Sequence, residues 1–285
     1  MKLAPLDYKR PASLQEAIAI LAAHDGAALP LAGGQSLIPI LAFRLAAPTM
    51  LVDLRGVPGL DGIAIGPGGV RLGAMVRWRD IEDEKRLAAA WPLLPAVISH
   101  IAHYQIRNRG TVGGSLAHAD PAAELPGLAV TCDATIEIVG RDGPREIPAS
   151  ALFVGALSTS LAAGDLIVGM RLPPWRDGRR WAFEEFALRR GDFAIVGVAA
   201  YYDLDDAGRV VDAHIGAIGV SEYPIRLTAA EQALNGSPID DATIAAAARA
   251  ACAMVEPQDD IHASAAYRRA LVGTLTERAL ARASA

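Results

Sequence analysis

The sequence predicts an α+β fold, and three observations support this prediction. The segment LQEAIAILAAH after Ser13 has leucine, isoleucine and alanine at helical spacing. Short apolar runs bounded by turn residues, such as IAIGPGGVRLGA and ATIEIVG, are typical of antiparallel strands. Helices and strands do not alternate in a regular βαβ series, so a doubly wound parallel sheet is disfavoured.

The N-terminal half contains further predicted elements in order. LIPILAFRL after Ser36 predicts one or two helical turns, and MLVDL from Met50 predicts a short buried strand. The run 79–101 predicts one long helix that Trp91-Pro92 interrupts. DLIVGMRLP from Asp165 predicts another strand, which ends where two prolines follow it.

The polar stretch 176–180 is bounded by proline and predicts a domain boundary. Beyond it, WAFEEFALR, FAIVGVAAYYDL and VVDAHIGAIGV predict three strands, and an alanine- and arginine-rich helical tail follows NGSP at 235–238. We therefore expect an N-terminal subdomain over 1–55, a middle subdomain over 56–175 and a C-terminal domain over 176–285.

Composition excludes several classes of protein. The chain has 285 residues, of which 52% are hydrophobic and 21% charged, with a net charge of −5. No basic patch predicts nucleic-acid binding, and no uncharged apolar run is long enough to span a membrane. Because the N-terminus has no apolar signal segment, we expect a cytoplasmic protein that is not an integral membrane protein. Two cysteines are too few for an ordinary iron–sulfur cluster.

The usual catalytic and metal motifs are missing from the sequence. His100 and His103 lie three residues apart, but no acidic or cysteine partner accompanies them at metal-ligand spacing, so we predict no metal site. The chain has no G-x-S-x-G elbow, no phosphate-binding P-loop and no G-x-G-x-x-G after a strand. We therefore predict no catalytic side chain and no Rossmann-type nicotinamide site.

Two glycine-rich segments remain unexplained. Ala32-Gly33-Gly34-Gln35-Ser36 and Thr111-Val112-Gly113-Gly114-Ser115 each combine glycines with a serine and are followed by apolar sequence. One interpretation is a pair of tight turns, since glycine adopts positive φ at low steric cost. The other is that backbone N–H groups of both segments hold an anion such as the diphosphate of a dinucleotide. The spacing alone leaves both interpretations open.

Longer strings resemble a known family. AGGQSLIPILAFRL, LVDL, IRNRGTVGGSLAHADPAAELP and RRGDFAIVGVA are similar to the FAD-binding medium subunits of the molybdenum hydroxylases. These include aerobic carbon monoxide dehydrogenase and the nicotine and xanthine dehydrogenases, and the similarity extends over essentially the whole chain. The resemblance implies a flavin fold of the vanillyl-alcohol-oxidase or PCMH type, with two FAD-binding subdomains and a C-terminal domain.

The resemblance also implies a set of FAD-binding residues. Both glycine segments are expected to contact the FAD diphosphate, Glu124 occupies an acidic FAD-contacting position, and Ile167 matches a position that touches the flavin through its backbone.

Two positions depart from the pattern of the family. Gln35 replaces a histidine of carbon monoxide dehydrogenases, which argues against carbon monoxide as substrate. A lysine near the flavin in relatives has only Arg189 and Arg190 as counterparts.

The implied function is electron transfer within a complex. In this family a large subunit with a molybdenum cofactor hydroxylates the substrate and a small subunit carries 2Fe–2S clusters, so the resemblance implies a dimer of heterotrimers. FAD in this chain would pass electrons to an external acceptor. Nicotine dehydrogenase-like or other N-heterocycle hydroxylases are the relatives favoured. The alternatives are a free-standing flavin oxidase and a non-catalytic scaffold.

Overall fold

We analysed a computed structural model of the chain, in which residues 2–284 are described. The α+β prediction is confirmed, because helices and mostly antiparallel sheets occupy successive parts of the chain. The strands are β1 Asp7–Lys9, β2 Ala28–Leu31, β3 Met50–Asp53, β4 Ile63–Gly66, β5 Gly69–Gly73, β6 Thr135–Gly140, β7 Gly143–Pro148, β8 Phe153–Gly155, β9 Ser158–Thr159, β10 Leu166–Leu172, β11 Arg180–Phe186, β12 Val196–Leu204, β13 Val210–Ile218 and β14 Ile225–Arg226.

The helices are mostly short before residue 225 and longer after it. They are α1 Leu14–Ala23, α2 Leu37–Ala42, α3 Trp78–Asp83, α4 Lys85–Ala90, α5 Leu93–Ile98, α6 Tyr104–Arg107, α7 Val112–His118, α8 Glu124–Thr131, α9 Thr228–Leu234, α10 Asp241–Met254 and α11 Ala265–Ser284. Over residues 2–284, no helix is both long and apolar enough to cross a membrane.

The N-terminal sheet is parallel, in the order β1-β3-β2. Helix α1 connects β1 to β2, and it begins as the sequence predicts, since the Ser13 hydroxyl accepts a hydrogen bond from the Glu16 N–H at 3.1 Å. Its buried residues Ala17 and Leu21 pack with the buried side chains of β3. This unit ends in the turn that contains Arg55.

The middle sheet has five antiparallel strands in the order β4-β5-β10-β6-β7. Its central strand β10 is buried along nearly its whole length and confirms the strand predicted from DLIVGMRLP. The register of β10 against β6 shifts between Ile167 and Gly169, so the ladder is irregular next to Ile167. Strand β10 thereby places an irregular backbone segment beside the N-terminal unit.

The C-terminal sheet has the order β11-β12-β13-β14, and helices α9, α10 and α11 cover one of its faces. The three long strands predicted from the sequence are confirmed, and the two-residue strand β14 was not predicted. Helix α8 lies between the middle and C-terminal parts, and each of its residues is buried. Gly127 of α8 approaches Ile218 so closely that a Cβ atom would lie 2.4 Å from its side chain.

The long helix predicted over 79–101 is wrong. The chain forms α3, α4 and α5 instead, with breaks at Glu84 and at Trp91. Glu84 ends α3 and caps α4 by accepting a hydrogen bond from the Arg86 N–H at 3.1 Å. The break at Trp91-Pro92 was expected, whereas the cap at Glu84 was missed because glutamate is an uncommon N-cap residue.

Hydrophobic clusters cross the predicted domain boundaries. Leu166 and Val168 of β10 pack in the cluster that contains α1, and Phe183 and Tyr201 of the C-terminal sheet pack in the cluster of the middle sheet. The division into 1–55, 56–175 and 176–285 therefore stays a prediction.

Candidate functional site

The first glycine segment connects β2 to α2 and needs glycine at two positions for different reasons. Gly34 has φ of +74°, a conformation that residues with a Cβ rarely adopt. Gly33 has ordinary φ, but a Cβ there would lie 2.1 Å from the carbonyl oxygen of Arg109. The first segment is therefore held directly against the residues that precede the second.

Backbone N–H groups of the first segment have no protein acceptor. Among residues 2–284, the N–H groups of residues 33–37 donate no hydrogen bond. The first N–H group in α2 that donates one belongs to Ile38, and its acceptor is the Gly34 carbonyl at 3.1 Å. The Ser36 hydroxyl makes no capping bond either. Unpaired donors on a fixed loop are suited to an anion, since each finds an acceptor when the anion binds.

The second segment differs, because four of its five N–H groups already have acceptors among residues 2–284. Val112 and Gly113 donate to the Val76 and Ala74 carbonyls at 3.0 and 2.8 Å. Gly114 and Ser115 donate to the side chain and carbonyl of Thr111, the N-cap residue of α7, at 3.2 and 3.0 Å. Of the N–H groups in this segment, only that of Thr111 donates no hydrogen bond within residues 2–284, so the segment presents mainly side chains and the surface of its glycines.

Glycine in the second segment is explained by packing. Neither Gly113 nor Gly114 has positive φ. A Cβ on Gly113 would lie 2.6 Å from Ala74 Cβ, and one on Gly114 would lie 2.8 Å from Thr111 Oγ1. These contacts hold α7 close to β5 and to the first segment, and Val112 is fully buried.

Residues from both glycine segments line one cavity. Ala32, Gly33, Gly34, Gly113 and Gly114 line a cavity of about 280 Å³ together with Ile167, beside apolar side chains that include Leu37, Met75 and Leu161. A second cavity, of about 370 Å³, is also lined by the first segment, together with Arg55 and Arg109. The structure thus brings both segments and Ile167 together.

Two arginines missed by the sequence analysis stand beside the first segment. Arg55 is fixed by the buried Asp53, whose Oδ2 lies 2.5 Å from its Nη2. Burial raises the pKa of Asp53, but hydrogen bonds from Arg55 and Tyr8 outweigh it and lower the pKa to about 2. Arg109 is exposed and has no ion-pair partner among residues 2–284. The site therefore offers positive charge next to unpaired N–H groups.

Comparison with known proteins identifies the family. Residues 4–175 match the FAD binding domain in molybdopterin dehydrogenase, and residues 181–283 match the CO dehydrogenase flavoprotein C-terminal domain. The chain is 40% identical over 283 residues to the 6-hydroxypseudooxynicotine dehydrogenase complex subunit alpha of Paenarthrobacter nicotinovorans, covering 99% of this chain and 96% of the relative.

The chain belongs to the FAD-binding medium subunits of the molybdenum hydroxylases.

Solved structures agree with this assignment. The medium subunit superposes on quinoline 2-oxidoreductase from Pseudomonas putida 86 with a TM-score of 0.94 and 41% identity, covering 100% of this chain and 99% of that chain. It superposes on carbon monoxide dehydrogenase from Hydrogenophaga pseudoflava with a TM-score of 0.96 and 35% identity, at the same coverage. The resemblance inferred from the motifs is confirmed, and the chain is an oxidoreductase subunit with an FAD-binding domain.

The described residues of the medium subunit fit FAD. The free N–H groups at 33–37 and the two arginines suit a diphosphate, and the apolar cavity beside Ile167 suits a ring. Ser115 is half-buried on the first turns of α7, where its hydroxyl makes no hydrogen bond within residues 2–284. Which of these residues touch the cofactor stays a prediction.

Glu124 is the first residue of α8 and is only 8% exposed. Burial, with a smaller contribution from the carboxylate of Glu185, raises the pKa of Glu124 to about 8. The carboxyl group is therefore mostly protonated at neutral pH and can donate a hydrogen bond as well as accept one.

Replacing Glu124 with glutamine should change how the stability of the medium subunit depends on pH. The pKa of Glu124 is raised from 4.5 to about 8 by folding, so its contribution to stability is complete below about pH 4.5 and is lost as pH rises through about 8. We expect the melting temperature of the flavin-free wild type to fall by at least about 3 °C between pH 5 and pH 8 relative to Glu124→Gln. If the melting temperatures of the wild type and of Glu124→Gln change equally between pH 5 and pH 8, the raised pKa of Glu124 is contradicted.

His100 and His103 have different neighbours. The His100 ring packs edge-on against Phe183 with centroids 4.9 Å apart, and its Nδ1 is 3.8 Å from Glu185 Oε1. His103 instead abuts Gly191, where a Cβ would lie 2.4 Å from the imidazole ring. His100 therefore contacts β11, whereas His103 contacts the segment that follows it.

Proposed function

We propose that this medium subunit binds FAD noncovalently between its N-terminal and middle sheets and relays electrons from a 2Fe–2S partner to an external acceptor. The observation that carries the proposal is the row of unpaired N–H groups at 33–37, flanked by Arg55 and Arg109. FAD, when bound, accepts two electrons and can pass them on singly or as a pair, which supplies the redox chemistry.

The residues of the chain have the task of binding and orienting the cofactor. The N–H groups of Gly33, Gly34, Gln35 and Ser36 would hold the diphosphate, with Ala32 at the start of the loop. Thr111 to Ser115 would contact the same region through a hydroxyl and through the flat surface of the glycines. Glu124 would bind an uncharged polar part of FAD, because its carboxyl group is mostly neutral at pH 7.

The proposed partners are a large molybdenum-cofactor subunit and a small 2Fe–2S subunit, in a dimer of heterotrimers. The chain has two cysteines, and Cys132 is fully buried, so it cannot supply the four thiolates of a 2Fe–2S cluster. We also propose a nitrogen heterocycle as the substrate of the complex. The names of the relatives at 40% and 41% identity refer to such compounds, whereas carbon monoxide dehydrogenase is 35% identical.

Noncovalent binding predicts a simple release experiment. Acid precipitation of the yellow full chain should leave the flavin in the supernatant, because neither glycine segment has a histidine or cysteine for a covalent link. The measurement is the absorbance of supernatant and pellet, with chromatographic separation of FAD from FMN. A yellow pellet would exclude noncovalent attachment, and a colourless purified chain that does not take up added FAD would reject the proposed function.

A further inference from the structure

The cavity beside Ile167 is lined by a histidine as well as by apolar residues. His118 is half-buried and is the last residue of α7, the helix that begins at the second glycine segment. It lines the cavity of about 280 Å³ together with glycines of both segments. Within residues 2–284 its ring makes no hydrogen bond or ion pair, whereas the rings of His24 and His214 each contact a backbone carbonyl, at 2.7 and 3.0 Å. The His118 ring therefore has both nitrogens available to a ligand in this cavity.

The other polar side chain on the wall of this cavity is already paired. Among the described residues that line the cavity, only His118 and Asp165 have polar side chains. The carboxylate of Asp165 accepts hydrogen bonds from Arg145 at 2.9 and 2.5 Å and from the Ala162 N–H at 2.7 Å. Both oxygens of Asp165 therefore have partners, and His118 is the side chain of this cavity that can still form hydrogen bonds.

The walls of this cavity indicate which half of FAD it suits. Residues 32–34 of the first segment line it, so a group attached to a diphosphate on those N–H groups is adjacent to the cavity. Leu54, Leu166 and Ile167 on its walls are each only 3% exposed. The flavin ring has to exchange electrons with partners outside this chain, whereas adenine takes no part in the redox chemistry. A buried cavity near the lower end of the usual range for ligand pockets, about 300–1,000 Å³, therefore suits adenosine better than the larger flavin.

We propose that His118 is an FAD-binding residue whose imidazole ring forms a hydrogen bond with the adenosine half of the cofactor. This inference rests on the proposed function, and it places adenosine rather than the flavin beside Ile167. The imidazole ring donates through one nitrogen and accepts through the other, which matches the ribose hydroxyls and the ring nitrogens of adenosine. Helix α7 connects this contact to the diphosphate, because its first residues belong to the second glycine segment and its last residue is His118.

The test is titration of the flavin-free full chain with three ligands, FAD, ADP and FMN. ADP contains the adenosine half and a diphosphate, whereas FMN contains the flavin half and a single phosphate. For His118→Ala we expect the Kd values for FAD and for ADP to rise about fivefold to tenfold, as for the loss of one hydrogen bond, while the Kd for FMN stays within about twofold of the wild-type value. His118→Asn and His118→Gln each place an amide near the position of one ring nitrogen, so at least one of them should bind FAD more tightly than His118→Ala.

Stability and a second histidine serve as controls. The His118 ring has no hydrogen-bond partner within residues 2–284, so flavin-free His118→Ala should melt within about 2 °C of the wild type. His24→Ala is the matched control, because His24 is also half-buried at the end of a helix, α1, but does not line the cavity. That variant should bind all three ligands like the wild type.

The comparison of ADP with FMN decides the inference. Unchanged Kd values for FAD and ADP in His118→Ala would overturn it and would leave the proposed function intact. Weaker binding of FMN with unchanged binding of ADP would also overturn it, because His118 would then contact the flavin half. Equal weakening of ADP and FMN would overturn it as well, since that result indicates general damage to the site. If the wild-type chain does not bind FAD, the proposed function fails and the inference fails with it.

Discussion

Replacing Gly33 with alanine is expected to abolish FAD retention by the purified chain. The new Cβ would lie 2.1 Å from the Arg109 carbonyl oxygen and 3.0 Å from Gly110 Cα, so the first glycine segment must move away from the residues that lead into the second. That movement displaces the N–H groups of residues 33–37 together. The measurement is flavin content per chain after gel filtration, with the Kd for added FAD.

Two other variants separate the mechanism from general loss of stability. Gly62→Ala is the matched control, since a Cβ there meets nothing within 4 Å and its φ is not positive, and it should retain full flavin content. Ser115→Ala should weaken binding by only about 1.5–3 kcal/mol, the value of one hydrogen bond to a charged group. If Ser115→Ala and Gly33→Ala lose FAD equally, the backbone of the first segment is not the main diphosphate contact.

The isolated subunit is expected to contain FAD but neither iron nor molybdenum, and its flavin should not be reduced by the substrate of the complex. Two cysteines cannot hold a cluster relay, so electrons must enter from a partner. The experiment is anaerobic mixing of a nitrogen heterocycle, such as a pyridine or quinoline, with the subunit alone and with the co-expressed complex, while flavin absorbance is followed.

The outcomes of that experiment distinguish the alternative functions. Bleaching only in the complex supports the relay. Bleaching of the isolated subunit would reject the relay and favour a free-standing flavin oxidase. A complex that oxidises substrate while its medium subunit carries no flavin would favour a scaffold.

The sequence predicted the elements whose hydrophobic spacing and flanking turn residues mark their ends. The helix capped by Ser13, the hairpin of β4 and β5, and the strands β10 to β13 all follow from periodicity and turn residues near them. The long helix over 79–101 failed because its hydrophobic spacing was continuous, whereas the chain is interrupted by a side-chain cap at Glu84.

The sequence predicted which residues line the candidate site, but not which of their N–H groups are free to bind a ligand. The two glycine segments look equivalent in sequence, and only the tertiary contacts reveal that Val112 and Gly113 donate to the carbonyls of Val76 and Ala74. The burial of Glu185 could not be predicted for a similar reason. FEEF at 183–186 shows two adjacent glutamates, and nothing in that string indicates which one faces inward.

The unpaired backbone of residues 33–37 also determines how fast its protons are replaced by deuterium. An amide without an acceptor has no hydrogen bond to break before it exchanges, so this stretch should exchange rapidly on an otherwise folded chain. Once a bound anion accepts those hydrogen bonds, the same amides become protected. Deuterium exchange at the first glycine segment therefore measures how long the phosphate end of the cofactor stays bound, and this measurement does not depend on flavin absorbance.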